Sequence, residues 1–200
     1  QSQAAPPSWS LEDKMRALRS EIGQRLVPDV IALQECPSRL VCEAVPSGFK
    51  LVGIAQSHAG GRCSHLYCKE ELQMERVFTN VKAPVVVGRE EVGEVKVDFV
   101  CAHLAPFDSG AGTGAVQVAA VAEASDAGAL VVLGDLNVRA REVKDLCEAH
   151  GFRAVQYSEN SWGPFKNRFY QDTLGDCGNR SVVRGQRFDQ IWCRGSAWGD

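Results

Sequence analysis

A chain of 200 residues, 44% apolar and 24% charged, is long enough for one domain that buries about 70% of its unfolded surface. No apolar run approaches the roughly 18 residues that a bilayer-spanning helix needs. The net charge of −3 and pI near 5.9 exclude a protein that grips nucleic acid by bulk basic charge, but not one that holds a single phosphate with a cation and a few local arginines.

Residues Gln1 to Pro7 read as a loop or tail. Ser10 can cap a helix whose apolar positions Leu11, Met15, Leu18 and Ile22 recur at steps of three and four, with Asp13 in the first turn and Pro28 as its stop. Asp29 to Gln34 (DVIALQ) is a buried-strand pattern that delivers Glu35 to its C-terminal end. Lys50–Ala55, Cys63–Lys69 and Met74–Thr79 read as short strands, with His58 to Arg62 as a Gly-rich turn. Pro84–Val87 and Val95–Leu104 follow; in the second, Val95, Val97, Phe99 and Cys101 alternate with Lys96 and Asp98, and His103 stands where the strand runs out.

After a Gly-rich loop at Phe107–Gly114, Ala115–Ala124 is an alanine-rich helix. The stretch Leu130–Val143 (LVVLGDLNVRAREV) then runs a buried strand into a glycine and places Asp135 and Asn137 just beyond. If the strand continues, the two share a face, as alternate residues do. Arg141–His150 reads as a helix closed by Gly151, with His150 as a C-terminal dipole partner. Tyr157–Asn179 has little periodicity and is expected to be a surface loop of the kind that carries binding. Arg187–Cys193 (RFDQIWC) is the last strand and carries Asp189.

The sequence holds eight cysteines. Cys36, Cys101, Cys147 and Cys193 lie in apolar contexts where a thiol behaves as a small hydrophobe, and with no secretory signal in view reduced thiols are favoured. Cys63, His65 and Cys68 lack the CxxC halves of a zinc site, so ordinary strand packing is favoured over a metal there.

Glu35, His103, the pair Asp135 and Asn137, and Asp189 thus sit on or just past four separate strands. Together they suit hydrolysis of a phosphate ester: a carboxylate for a hard divalent cation, an acid with an amide partner to aim water, and a histidine for the phosphoryl oxygens.

DVIALQE, FVCAHL, VVLGDLN and RFDQIW, in that order, resemble the motifs of the endonuclease/exonuclease/phosphatase superfamily that includes DNase I and the abasic-site endonucleases. The resemblance covers nearly the whole chain. It implies an α/β (α+β) four-layer αββα sandwich of two mixed sheets with the site at one end. The family's first strand carries a T-W-N type motif and its last an S-D-H motif. Neither is found between Gln1 and Asp200, so residues 1–200 are expected to be a single domain lacking its first and last strands.

NVRAREV, the later SW and QRFDQIW are most similar to the 5′-tyrosyl-DNA phosphodiesterases. By that resemblance Glu35 is the Mg²⁺ ligand (Mn²⁺ as a substitute), Asp135 the general acid/base, and Asn137 the residue that positions water and phosphate. Arg139 lies near the scissile group, Ser161 and Trp162 face substrate, His103 contacts phosphate, and Asp189 orients a further histidine. The implied function is a Mg²⁺-dependent phosphodiesterase acting on a 5′-tyrosyl-DNA or other nucleic-acid-end substrate; the sequence leaves the compartment open, with an intracellular one favoured. The alternative is a noncatalytic relative serving as a subunit of a larger assembly, in which further chain or a partner covers the open sheet edges.

Overall fold

The computed structural model describes residues 10–23, 28–37, 45–56, 62–79, 84–105, 113–123, 125–138, 140–155 and 189–195. Arg139, Ser161, Trp162, most of the His58–Arg62 and Phe107–Gly114 turns and the Tyr157–Asn179 loop lie outside them. Two sheets form the centre. The smaller has the order β1 (Val30–Pro37), β3 (Arg62–Lys69), β2 (Phe49–Gln56), all antiparallel. The larger has six strands: β4 (Glu75–Val77), β5 (Val85–Val92), β6 (Val95–His103), β7 (Ala129–Asp135), β9 (Asp189–Gly195) and β8 (Arg153–Ala154). It is mixed, because β6 and β7 run parallel while its other described pairs are antiparallel.

Strand alternation sorts the side chains into layers. On β6 and β7, Val100, Ala102, Leu130 and Val132 face helices α2 (Thr113–Glu123) and α3 (Ala140–His150), packing with Val118, Val121 and Cys147. Cys101 and Phe99 face the smaller sheet and meet Leu66, Cys68 and Ala32. On the far side of that sheet Ile31 and Tyr67 pack on Leu18 and Ile22, which belong to α1 (Leu11–Glu21) and its C-cap. The result is the expected four-layer αββα sandwich.

Helix α1 starts where Ser10 caps it, its hydroxyl accepting from the Asp13 N–H at 3.1 Å while Asp13 accepts from the Ser10 N–H at 3.2 Å. The α-helical span is Leu11–Glu21 with Ile22 as its C-cap, and residues 24–27, between it and Pro28, lie outside the described residues. Strand β5 runs five residues past Val87, because Val92 and Val95 pair across a hairpin whose Gly93 adopts φ 63°. Strand β4 is shorter than expected, and the two-residue β8, which carries no periodicity, was not legible at all. Fully buried Asp98, on the helix-facing side of β6, is satisfied by a two-pronged contact from Arg89 at 2.7 and 2.9 Å.

Cys36, Cys63, Cys68, Cys101 and Cys147 are buried free thiols. Cys68 packs between the sheets, whereas Tyr67, stacked on His65, packs toward α1. Cys63, His65 and Cys68 therefore do not share a face, which rules out one metal for the three. No described helix is long and apolar enough to cross a membrane.

Candidate active site

His103, Asp135 and Asp189 form one row. His103 pairs with Asp135 across the parallel β6–β7 ladder, and Asp135 pairs with Asp189 across β7–β9. Alternation puts all three on the side that faces the smaller sheet, with adjacent strands about 4.8 Å apart. Nε2 of His103 is 4.0 Å from Oδ2 of Asp135, too long for a hydrogen bond but close enough for charge to act. The Asp135 carboxyl is held above the usual carboxylate range. Burial is the chief cause, and the charges of Asp189 and Glu35 push the same way, while the Asn137 N–H and His103 oppose them. Those interactions bring Glu35, from β1, to the same end of the sandwich.

Glu35 reaches that position through backbone strain. Opposite β3, Leu33 pairs with His65 and Cys36 with Cys63, so Gln34 and Glu35 together face one residue, a β-bulge. Glu35 takes φ 56° within it. Among the described residues only Glu35 and Asn137 (φ 49°) are non-glycines with positive φ, and both were singled out by motif. Such strain costs about 1–3 kcal/mol per residue and persists where the surroundings over-determine it. Glu35→Gly is therefore expected to keep or slightly raise the unfolding free energy, and Glu35→Val, β-branched, to lower it by about 1–2 kcal/mol. Urea titration of both variants checks the order.

Asn137 differs from the expected placement. β7 ends at Asp135, and a tight turn rather than strand alternation brings the two together: the Asn137 N–H donates to Asp135 Oδ1 at 3.0 Å, and its Nδ2 donates to the Leu104 carbonyl at 2.7 Å. Leu104 in turn donates its N–H to the Asp135 carbonyl at 2.9 Å. The loops after β6 and β7 are thus tied to each other, which fixes which end of the carboxamide is presented.

Three glutamines that sequence reasoning passed over support this rim. Gln34 Nε2 donates to Cys101 Sγ at 3.4 Å, between the sheets. Buried Gln190 donates to the Val138 carbonyl at 3.1 Å and accepts from the Trp192 indole N–H at 2.8 Å, securing the chain after Asn137. Gln117 accepts from the Ala105 N–H at 2.7 Å. Their only sequence signal is a polar residue set within or against apolar runs. Beside the row, a cleft of about 370 Å³ opens between the sheets, with Ala32 and Gln34 on one wall and Leu133, Gly134 and Asp189 on the other.

Among the described residues no three His, Cys, Asp or Glu side chains are placed to hold a metal as a preformed cage. That donor set does not fit Zn²⁺, but it is compatible with Mg²⁺, which needs only one or two carboxylates and completes its shell with water and substrate phosphate. Glu35 is the exposed candidate ligand, and the mutual repulsion of Glu35, Asp135 and Asp189 is what a cation would relieve.

No protein-family model and no curated protein matches the sequence. Solved structures do. A truncated TDP2 from Caenorhabditis elegans superposes with TM-score 0.69 at 17% identity over 95% of this chain and 80% of the other. A D. rerio TDP2 complexed with single-strand DNA product gives 0.67 at 18% over 96% and 81%. An AP endonuclease from Leishmania major gives 0.62 at 13% over 92% and 74%. Two other C. elegans TDP2 structures are covered over only 59% and 60% of their length. The chain therefore has the fold shared by TDP2, the AP endonuclease and an endonuclease/exonuclease/phosphatase family protein from Leptotrichia buccalis.

Proposed function

We propose that residues 1–200 form one hydrolase domain that cleaves a phosphodiester at a nucleic-acid end, with a 5′-tyrosyl-DNA linkage as the substrate. The observation that carries this is the row of His103, Asp135 and Asp189 on one face of three adjacent strands, with strained Glu35 and Asn137 turned toward the same end. The motif resemblance to 5′-tyrosyl-DNA phosphodiesterases and the structural match to a TDP2 holding single-strand DNA product support the choice of substrate.

In this reading Asp135 takes a proton from the attacking water, a role that its raised pKa suits. Asn137, its carboxamide fixed by Leu104, positions that water and the phosphate. His103 donates to a phosphoryl oxygen, so that negative charge developing there meets a donor already in place. Asp189 adds to the charge felt by Asp135, and Arg139, Ser161 and Trp162 are assigned to substrate binding by the motif resemblance alone. Glu35 would hold Mg²⁺, which when bound neutralises charge on the phosphate.

The test is a substrate panel with Mg²⁺ and with chelator: a 5′-phosphotyrosyl oligonucleotide, a duplex with an abasic site, and an inositol phosphate. Preferential, chelator-sensitive release of tyrosine is expected. Preference for either of the other two would replace the proposed substrate, and inertness toward all three in a folded protein would favour a noncatalytic subunit.

A further inference from the structure

The edge of the larger sheet carries a feature that the hydrolytic row does not use. Phe78 is 82% exposed, far more than a large apolar ring is normally left. The Arg76 guanidinium lies over one face of it, 4.7 Å from the ring centroid. Arg76 is itself braced across the sandwich: Nη2 donates to the Ile54 carbonyl of β2 at 3.3 Å. Its stem passes β2 at Gly53, where a Cβ would sit 3.1 Å from Arg76 Cδ. A glycine there leaves room for the arginine, so one face of the ring is held by a fixed cation.

Position gives this pair its meaning. Val77 pairs with Val87, Val87 with Val100, and Val85 with Ala102, which places Phe78 within about two residues, or about 7 Å, of the level of His103. Val77 packs on the helix side, so Arg76, its neighbour on β4, lies on the inter-sheet side that bears His103 and Asp135. Across the sheet β4 is three strand spacings from β7, about 14 Å, a distance that about four stacked nucleotides span at about 3.4 Å each.

The chemistry selects the occupant. With a net charge of −3 the chain has no basic field to draw in a strand, so contact beyond the scissile phosphate has to be local. A single ring flanked by exposed Glu75 and Arg76 is too small and too polar in its surroundings for a protein-binding patch, whereas it matches one base, and the arginine matches the adjoining phosphate. We propose that Phe78, backed by Arg76, is the stacking platform for a base of single-stranded DNA a few nucleotides from the cleaved end. This rests on the phosphodiesterase reading above and names how that site would hold its substrate strand.

Two measurements test it separately from that reading. In steady-state hydrolysis of 5′-phosphotyrosyl oligonucleotides of graded length, Phe78→Leu, which keeps an apolar side chain but no ring, is expected to raise KM about tenfold on strands of five or more nucleotides while kcat moves less than about twofold. Phe78→Trp is expected to restore KM. In the second measurement, adding oligothymidine without a tyrosyl group to Phe78→Trp should quench indole fluorescence beyond the change seen in the wild type.

If the wild type cleaves but Phe78→Leu keeps the wild-type KM at every length, the platform is refuted and the phosphodiesterase reading stands. If the wild type does not cleave, quenching still decides: added quenching supports the platform, and none overturns it. A Phe78→Leu protein that sediments as a different oligomer would mark a protein interface instead, and would also overturn it.

Discussion

Asp135→Asn is expected to lower phosphodiester hydrolysis by about 10²- to 10⁴-fold, and at the same time to raise the melting temperature at pH 7. The activity loss follows from removing a partly buried carboxyl whose pKa is raised and which the proposed reaction uses as its base. The stability gain follows from linkage. The Asp135 carboxyl in the folded protein lies above its ordinary value of 3.8, so the native state binds that proton more tightly than the unfolded chain does. The group's contribution to stability is full below 3.8 and is lost as pH rises through the folded value, above which an ionised, half-buried carboxylate is left beside Asp189. Asparagine removes that cost and keeps an oxygen for the Asn137 N–H. The difference in melting temperature between variant and wild type should therefore shrink toward zero as pH is lowered to about 3. A gap that widens with acidification would show that the carboxyl is not raised.

Gly134→Ala is expected to cost about 3–5 kcal/mol, lowering the melting temperature by about 10 °C or more in a chain of this size. Gly134 adopts φ 138°, and a Cβ there would stand 2.1 Å from the Ala102 carbonyl oxygen and 2.8 Å from Gln34 Nε2. The carbonyl cannot yield cheaply, because Ala102 is paired on one side with Val85 and on the other with Gly134 itself. Even a folded variant should lose activity, since the displaced segment carries Asp135 on the next residue. Calorimetry on the purified variant checks this, and a melting temperature within about 2 °C of wild type would mean that the contact at Ala102 is not tight.

Much of this was legible because several signals agreed. VVLGDLN combines a β-branched run, a glycine and two polar residues, and the structure explains each: the run fills both faces of β7, the glycine lies against β6, and the acid ends the strand. The Val95–Cys101 alternation marks β6 because one of its faces meets helices and the other a second sheet. Other features had no local signature. The Glu35 bulge depends on the register against β3, and the turn that brings Asn137 back to Asp135 uses the Leu104 carbonyl, 33 residues away in sequence. The support from Gln34, Gln117 and Gln190 is likewise tertiary. So is the role of Phe78, which reads as one more apolar residue of a short strand until its exposure and its arginine are seen. The position of β8 follows from pairing with β9 rather than from its own two residues.

The most direct measurement is single-turnover release of tyrosine from a 5′-phosphotyrosyl oligonucleotide by the unsubstituted protein in Mg²⁺, beside Asp135→Asn and Glu35→Gln. Release that leaves a 5′ phosphate is expected, lost on chelation and reduced at least about 100-fold in each variant. Release at equal rates in all three proteins, or none from a folded wild type, would contradict it.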